Sequence, residues 1–362
     1  MSQPPSPNDP ERAQQPLISQ RKSEHIALCA SGDVEFRNKG TLLDQVQLVH
    51  QAIPERHYDE LDLSTPLLGK VLKAPIVISA MTGGTDEAQD INRDLARAAE
   101  TLGLGFGLGS QRAMLVRPET TRTFQVREFA PTALVLGNLG LVQAQRMSTE
   151  EVRVLCQTVG ADALCVHLAT AMELVQPGGD RDFRGGIDTL KRLHEELGIP
   201  IVVKETGCGL SREVGLQVKR IGITAVDVSG AGGTSWVGVE THRADGIARA
   251  VGEALWDWGV PTAASVSLLS DLGLQIIATG GLRTGLDVAS ALALGARAGG
   301  LAAPVLKAWK AGGYDGAVEF LRGVIETVKA VTLLTGCKSS ADLVHAPKVI
   351  GSTLRAWQKG AR

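Results

Sequence analysis

The chain has 362 residues, 44% of them hydrophobic, and a formal net charge of −2. This balance gives no electrostatic basis for binding nucleic acid or an anionic membrane surface. No apolar run approaches the roughly 20 residues that a membrane-spanning helix needs. We therefore expect neither a nucleic-acid nor a membrane partner.

The first segment and the cysteines indicate a cytoplasmic protein. Residues 1–20 are rich in Pro, Gln and Ser and lack the apolar centre of a secretory signal, so we predict a disordered leader. None of the five cysteines belongs to a CxxC pair, which favours a reducing compartment over disulfides or zinc. We interpret Cys165 as a small core residue and expect it, with Cys208, near strand ends close to the site.

Short apolar runs and amphipathic stretches alternate along the chain. The runs predict strands at 74–79, 104–108, 132–137, 163–167, 200–204, 223–229, 275–279 and 298–302. Helices are predicted at 87–101, 150–160, 187–197 and 212–220. Repeated βα units with no glycine fingerprint between a strand and a helix favour an α/β fold of the TIM-barrel type. We predict a single (β/α)₈ barrel over residues 21–362, with a long functional loop at 230–260, after the sixth strand.

The segment after the seventh predicted strand indicates a phosphate site. Gly280 and Gly281 let the backbone approach an anion, and the next helix directs its amide-rich end at the same place. Arg283 adds a planar cation, and barrels build phosphate pockets from the loops after their last two strands. A glycine-rich turn with a surface arginine is the alternative.

Small and hydroxyl-bearing residues follow many of the other strands, which favours a flat ligand across the open end of the barrel. Lys204 ends the fifth strand and would place a cation beside a delocalised anion, as in FMN. An ion pair that closes the barrel rim is the alternative for Lys204. Taken singly, Ser110, Asn138 and Ser229 are as well explained as satisfied loop residues.

A basic group of residues indicates a second anion, a diphosphate. Arg21, Lys22, Arg112 and His167 could bind it together, and Glu173 could hold a bridging Mg²⁺. For Arg21 and Lys22 alone, solvated surface charges are the simpler explanation. The same applies to the run 180–182, where an ion pair at the edge of the loop is equally possible.

Several motifs resemble one family in order along the chain. They are RKSEH (21–25), SAMTGG (79–84), GSQR (109–112), GNLG (137–140), QPGGDRDF (176–183), VVKETGCGLS (202–211), DVSGAGGTSW (227–236), DWGVPT (257–262) and ATGGLRTGLDVASALALGA (278–296). They resemble the type 2 isopentenyl diphosphate isomerases, which are flavin-dependent barrel enzymes. The resemblance extends from residue 21 almost to the C-terminus.

The resemblance implies a set of roles. FMN would contact Met81, Thr82, Ser110, Asn138, Lys204, Ser229, Thr234, Gly281, Arg283, Ala302 and Ala303. The diphosphate substrate would contact Arg21, Lys22, Arg112 and His167, and Glu173 would ligate Mg²⁺. Reduced FMN, formed with NADPH, would move a proton between allylic carbons with no net redox change, and the protein would be a homo-oligomer, a tetramer or octamer.

Two residues depart from the family. Ala169 stands where the family has Asn, and Met172 stands where it has Gln, the polar side chain nearest the reacting carbons. Methionine cannot relay a proton, and losing a proton-handling group typically costs about 10²–10⁴-fold in rate. The catalytic candidates are Lys204, His167 and the position of Met172. Two alternatives stay open. The protein acts on a different prenyl or acyl substrate, or the change to Met172 alters packing without affecting function.

Overall fold

The computed structural model describes Leu28 and residues 34–361. The predicted leader and the predicted diphosphate ligands Arg21 and Lys22 lie outside the described residues. Three short strands precede the barrel: β1 (Val46–Leu48), β2 (Thr65–Leu67) and β3 (Lys70–Leu72).

Eight parallel strands close into a barrel, as predicted. They are β4 (Ile76–Ile78), β5 (Gly105–Gly107), β6 (Leu134–Gly140), β7 (Ala163–His167), β8 (Ile201–Lys204), β9 (Ala225–Asp227), β10 (Gln275–Ala278) and β11 (Ala298–Leu301). Strand β12 (Lys348–Ile350) pairs antiparallel with β1 outside the barrel. The (β/α)₈ TIM-barrel prediction is confirmed.

Helices surround the strands. They are α1 (Asp86–Leu102), α2 (Arg112–Val116), α3 (Leu141–Gln145), α4 (Thr149–Val159), α5 (Thr170–Val175), α6 (Gly186–Glu196), α7 (Arg212–Arg220), α8 (Trp236–Thr241), α9 (Gly246–Leu255), α10 (Thr262–Leu269), α11 (Gly285–Ala293), α12 (Ala303–Leu334) and α13 (Ser352–Gly360). Short 3-10 turns cover Leu43–Gln45, Tyr58–Glu60, Pro118–Thr123 and Ser340–His345. Helix α12 contains a kink at Gly312 and Gly313.

Local sequence explains where these helices begin and end. Helix α4 starts with a capping box between Ser148 and Glu151 and stops at Gly160, whose φ of 63° suits glycine. Helix α1 starts at the Thr85 cap and stops at Gly103 in the same way. These signals put the helix boundaries within a residue or two of the prediction.

Two predicted elements need correction. The third barrel strand extends through Gly140, because Asn138 and Gly140 pair in register with Cys165 and His167 of β7. The insertion after the sixth strand is not one long loop, since it folds into α8 and α9 before α10 begins.

The β2–β3 hairpin closes one end of the barrel. Leu67, Leu68 and Leu72 pack in one buried cluster with the inward-facing residues of the strands, Cys165 among them. The polar strand ends therefore lie at the opposite end, where barrel enzymes keep their sites. No helix in the described part of the chain is both long and apolar enough to cross a membrane.

Candidate active site

A cavity of about 290 Å³ lies at the carboxyl ends of the barrel strands. Its wall contains every predicted site residue that the structure describes: Met81, Thr82, Ser110, Arg112, Asn138, His167, Met172, Glu173, Lys204, Ser229, Thr234, Gly281, Arg283, Ala302 and Ala303. The barrel thus brings residues from eight separate chain segments to one place. This geometry establishes that the predicted site residues lie together.

Lys204 lines the cavity and also forms an ion pair. Its Nζ lies 2.9 Å from Oδ2 of Asp227, and both side chains are nearly buried. The Thr279 hydroxyl and the Ser229 amide donate to the other oxygen of Asp227, the amide at 3.2 Å. The rim ion pair, posed as the alternative, is present, and Lys204 also lines the cavity.

His167 is held as a neutral ring. Its Nδ1 lies 2.7 Å from Oδ1 of Asn138. Burial, with the Lys204 ammonium adding to it, lowers the pKa of His167 to about 4. Because the Asn138 oxygen accepts, the ring carries its proton on Nδ1, and Nε2 is an acceptor. An anion at Nε2 requires a second proton on the ring, or a rotated Asn138 amide and the other tautomer.

The double glycine allows two loops to pack together. Gly280 and Gly281 have φ values of 96° and 81°, and a Cβ at Gly281 would lie 2.6 Å from the Gly232 oxygen. Arg283 donates to the Gly281 oxygen at 3.1 Å and to Glu35 at 3.0 Å. Glu35, which the sequence did not single out, lines the cavity from a segment that crosses the rim.

Two helices, α11 and α12, begin beside the cavity. Asp287 accepts from the Arg283 and Thr284 amides and completes a capping box at the start of α11. Those two amides are satisfied within the chain, and no residue of α11 lines the cavity, so the direction of the α11 terminus at an anion stays a prediction. Helix α12 has Ala302 as its N-cap residue without a side-chain cap, and Ala302, Ala303 and Pro304 line the cavity.

Glu173 anchors the loop that follows α5. Its Oε2 accepts from the Asp180 amide at 2.9 Å and from Gln176 at 3.3 Å. Asp180 pairs with Arg146 at 2.6 Å, which confirms the ion pair at the edge of the loop, whereas Asp182 pairs with Arg184 at the surface. The described residues contain no group of three or more candidate metal ligands. A cation at Glu173 would therefore need oxygens from a substrate.

The comparisons with known proteins agree with the sequence motifs. The family model described as FMN-dependent dehydrogenase matches residues 180–349. The isopentenyl-diphosphate delta-isomerase of Methanothermobacter thermautotrophicus is 44% identical over 94% of this chain and 96% of its own length. That of Methanosarcina mazei is 43% identical over 94% of both chains. The chain belongs to the type 2 isopentenyl-diphosphate delta-isomerase family.

Solved structures of other proteins share the fold of this family member. A variant of flavocytochrome b2 with benzoylformate superimposes with a TM-score of 0.68 at 20% identity, over 98% of this chain and 89% of that one. At this identity the comparison shows the shared barrel alone.

The cavity of this isomerase-family member fits FMN. Near the cavity, the Ser79 hydroxyl is buried and has no hydrogen-bond partner within the described residues, so a polar ligand atom would satisfy it. The uncapped end of α12 and Arg283 suit a terminal phosphate, and Lys204 suits an anionic ring. Ser79 and Thr279 also line the cavity, although they were not among the predicted site residues. Both belong to motifs at strand ends, SAMTGG and ATGG, which could have indicated their place in the site.

Glu205 is a buried acid that was not among the predicted site residues. The sequence indicated only that it lies at the end of a strand. It accepts from the backbone amides of Thr206 and Cys208, and so holds the loop that presents Thr206 and Gly207 to the cavity. Burial raises the pKa of Glu205 to about 8, although these hydrogen bonds act to lower it.

The two cysteines of interest lie outside the cavity wall. Cys165 is buried inside the barrel in the middle of β7, and Cys208 follows β8 in a loop. Burial raises the pKa of both thiols to about 12. This confirms Cys165 as core filling, and its expected place at a strand end is wrong because it lies in the middle of β7. Cys208 lies as expected, next to Gly207 of the cavity wall and just after a strand end.

Proposed function

We propose that this protein isomerises isopentenyl diphosphate to dimethylallyl diphosphate with bound, reduced FMN. The observation that carries the proposal is that fourteen residues expected to contact flavin, diphosphate or magnesium line one cavity. The relatives with more than 40% identity bear the name of this activity. The enzyme class follows from that relationship, and the residue roles below are ours.

FMN is held by the strand ends. Gly281, Arg283, Ala302 and Ala303 bind its phosphate, and Lys204 balances the charge of the reduced ring. The ring and its side chain contact Met81, Thr82, Ser110, Asn138, Ser229 and Thr234. When bound and reduced, FMN supplies the acid and base that shift the double bond, and NADPH is the proposed reductant.

The diphosphate lies on the side of the cavity opposite the flavin phosphate. Arg112 supplies a fixed positive charge, and Arg21 and Lys22, which lie outside the described residues, are proposed to bind the diphosphate with it. Glu173 would hold a Mg²⁺, which would neutralise charge on the diphosphate, and His167 would contact the diphosphate.

A second candidate function is flavin chemistry of the same family on a different prenyl or acyl substrate. Met172 lines the cavity where the family has Gln, and no proton can pass through its thioether. This candidate retains the FMN site and predicts no turnover of isopentenyl diphosphate.

We also propose a cytoplasmic homo-oligomer, a tetramer or octamer. Ile247 and Trp258, 85% and 61% exposed, supply apolar surface suited to contact between copies. Light scattering of the full chain tests this directly, and a monomer at micromolar concentration contradicts it.

The activity is tested by anaerobic incubation of FMN-loaded protein with dithionite, Mg²⁺ and isopentenyl diphosphate, followed by product analysis. We expect dimethylallyl diphosphate with reduced flavin and none with oxidised flavin. Absence of product from protein with bound, reduced flavin would reject the isomerase and favour the second candidate.

A further inference from the structure

A second cavity, of about 380 Å³, adjoins the first on its diphosphate side. It lies between strands β6 to β8 and the helices α3, α6 and α7. The two cavities share three wall residues: Gln143, His167 and Glu173. Because His167 and Glu173 are the proposed diphosphate and Mg²⁺ contacts, the head group of the substrate would lie at the junction.

The inner wall of this side cavity is hydrocarbon. Leu141, Leu168, Leu190, Val203, Val214 and Val218 line it. Its outer edge is formed by exposed residues, among them Ile187 and Asp188. A volume of this size falls within the range of about 300–1,000 Å³ that is usual for small-molecule pockets.

The two departures from the family lie on either side of the junction. Ala169 lines the side cavity and Met172 lines the main cavity, and both replace a polar amide of the family with an apolar side chain. An Asn side chain at residue 169 would have to lose water before a hydrocarbon could lie beside it, and Ala169 removes that cost. Ala169 and Met172 therefore make the junction between the two cavities more apolar than the family residues would.

We propose that the side cavity binds the hydrocarbon tail of diphosphate esters longer than five carbons, with their diphosphate at the junction and their tail directed away from the flavin. The proposal rests on the proposed function, since it uses the same diphosphate contacts. Such a ligand occupies the head-group position without presenting a double bond to the flavin. Long-chain esters, the class formed when five-carbon diphosphates condense, are then competitive inhibitors.

The test measures binding rather than turnover. FMN-loaded full-length protein with Mg²⁺ is titrated by calorimetry with inorganic diphosphate and with saturated n-alkyl diphosphates of five to ten carbons. Each methylene buried in the side cavity is worth about fourfold in affinity, so we expect the ten-carbon ester to bind at least about tenfold more tightly than the five-carbon ester. Equal affinities across the series would overturn the proposal.

Matched variants locate the tail. Val214→Phe fills the side cavity from α7, and Val154→Phe makes the same change at an exposed position on α4. The gain with chain length should vanish in the first variant and persist in the second, and Ala169→Asn should reduce it. The visible spectrum of bound FMN reports whether each variant is folded. A gain that survives in folded Val214→Phe protein places the tail elsewhere and rejects the proposal.

The outcomes separate this inference from the function on which it rests. If inorganic diphosphate binds and chain length has no effect, the side-cavity site is wrong and the diphosphate site stands. If neither inorganic diphosphate nor any ester binds, both are wrong.

Discussion

Lys204 and Asp227 lie opposite each other on neighbouring strands, and this register decides the electrostatics of the site. The buried carboxylate is the counter-ion of the ammonium, and Thr279 and Ser229 hold the carboxylate in place by hydrogen bonds. Asp227 is therefore a positioning residue for the cation that the proposed flavin needs.

Asp227→Asn should destabilise the flavin-free protein by about 3–5 kcal/mol, because it leaves a buried ammonium without its counter-ion. The control is Asp271→Asn, whose partner Arg212 forms a more exposed pair and for which about 0–1 kcal/mol is expected. Urea unfolding of both variants measures the difference. Equal losses would show that burial of the Lys204 pair contributes nothing specific.

Met172→Gln should raise isomerase activity by about 10²-fold or more if a proton-handling side chain is missing at this position. The matched control Met147→Gln makes the same change outside the cavity wall and should leave the rate unchanged. Initial rates with reduced flavin measure the effect. Unchanged activity in Met172→Gln would mean that the methionine is a packing change without consequence for proton transfer.

At the scale of elements, the loop after β8 depends on Glu205. The folded chain holds a proton on this acid up to a pKa of about 8, whereas the unfolded chain releases it near 4.5. Between these values the folded state binds more protons, so the contribution of Glu205 to stability falls as pH rises.

Glu205→Gln removes this proton uptake and keeps an oxygen that can accept from the loop amides. Its free energy of unfolding relative to the wild type should therefore increase between pH 5 and pH 8, by at least about 1.4 kcal/mol, the equivalent of one pKa unit. Exposed Glu195 supplies the control Glu195→Gln. A difference from the wild type that does not change with pH would contradict a buried, protonated Glu205.

The elements of the barrel follow from the sequence more fully than the contacts between them. Apolar runs predicted all eight strands, and an amphipathic stretch predicted α7 to the residue, because these features depend on neighbours in the chain. The Lys204–Asp227 pair, the Glu35–Arg283 pair and the uncapped start of α12 at the cavity depend on strand register and on long-range packing. The motif DVSG contains Asp227, but the sequence did not indicate that Lys204 would pair with it.

For the molecule as a whole, the β2–β3 hairpin closes one end of the barrel and leaves the carboxyl end for ligands. The segment that begins at residue 34 crosses that open rim, where the Phe36 amide donates to Gly233 and Thr41 accepts from Ala263. The barrel, its rim segment and the last two βα loops thus enclose a cavity that contains Arg112, Lys204 and Arg283 in its wall and fits one flavin.

The proposed flavin site is tested by titrating flavin-free, full-length protein with FMN and recording the visible absorbance. We expect one FMN per chain, with affinity about 10- to 100-fold weaker in Arg283→Ala, since a charge-assisted contact to phosphate is lost. Arg322→Ala, an exposed arginine on α12, should bind as the wild type does. Protein that stays colourless, or an Arg283→Ala variant that binds as tightly as the Arg322→Ala control, would contradict it.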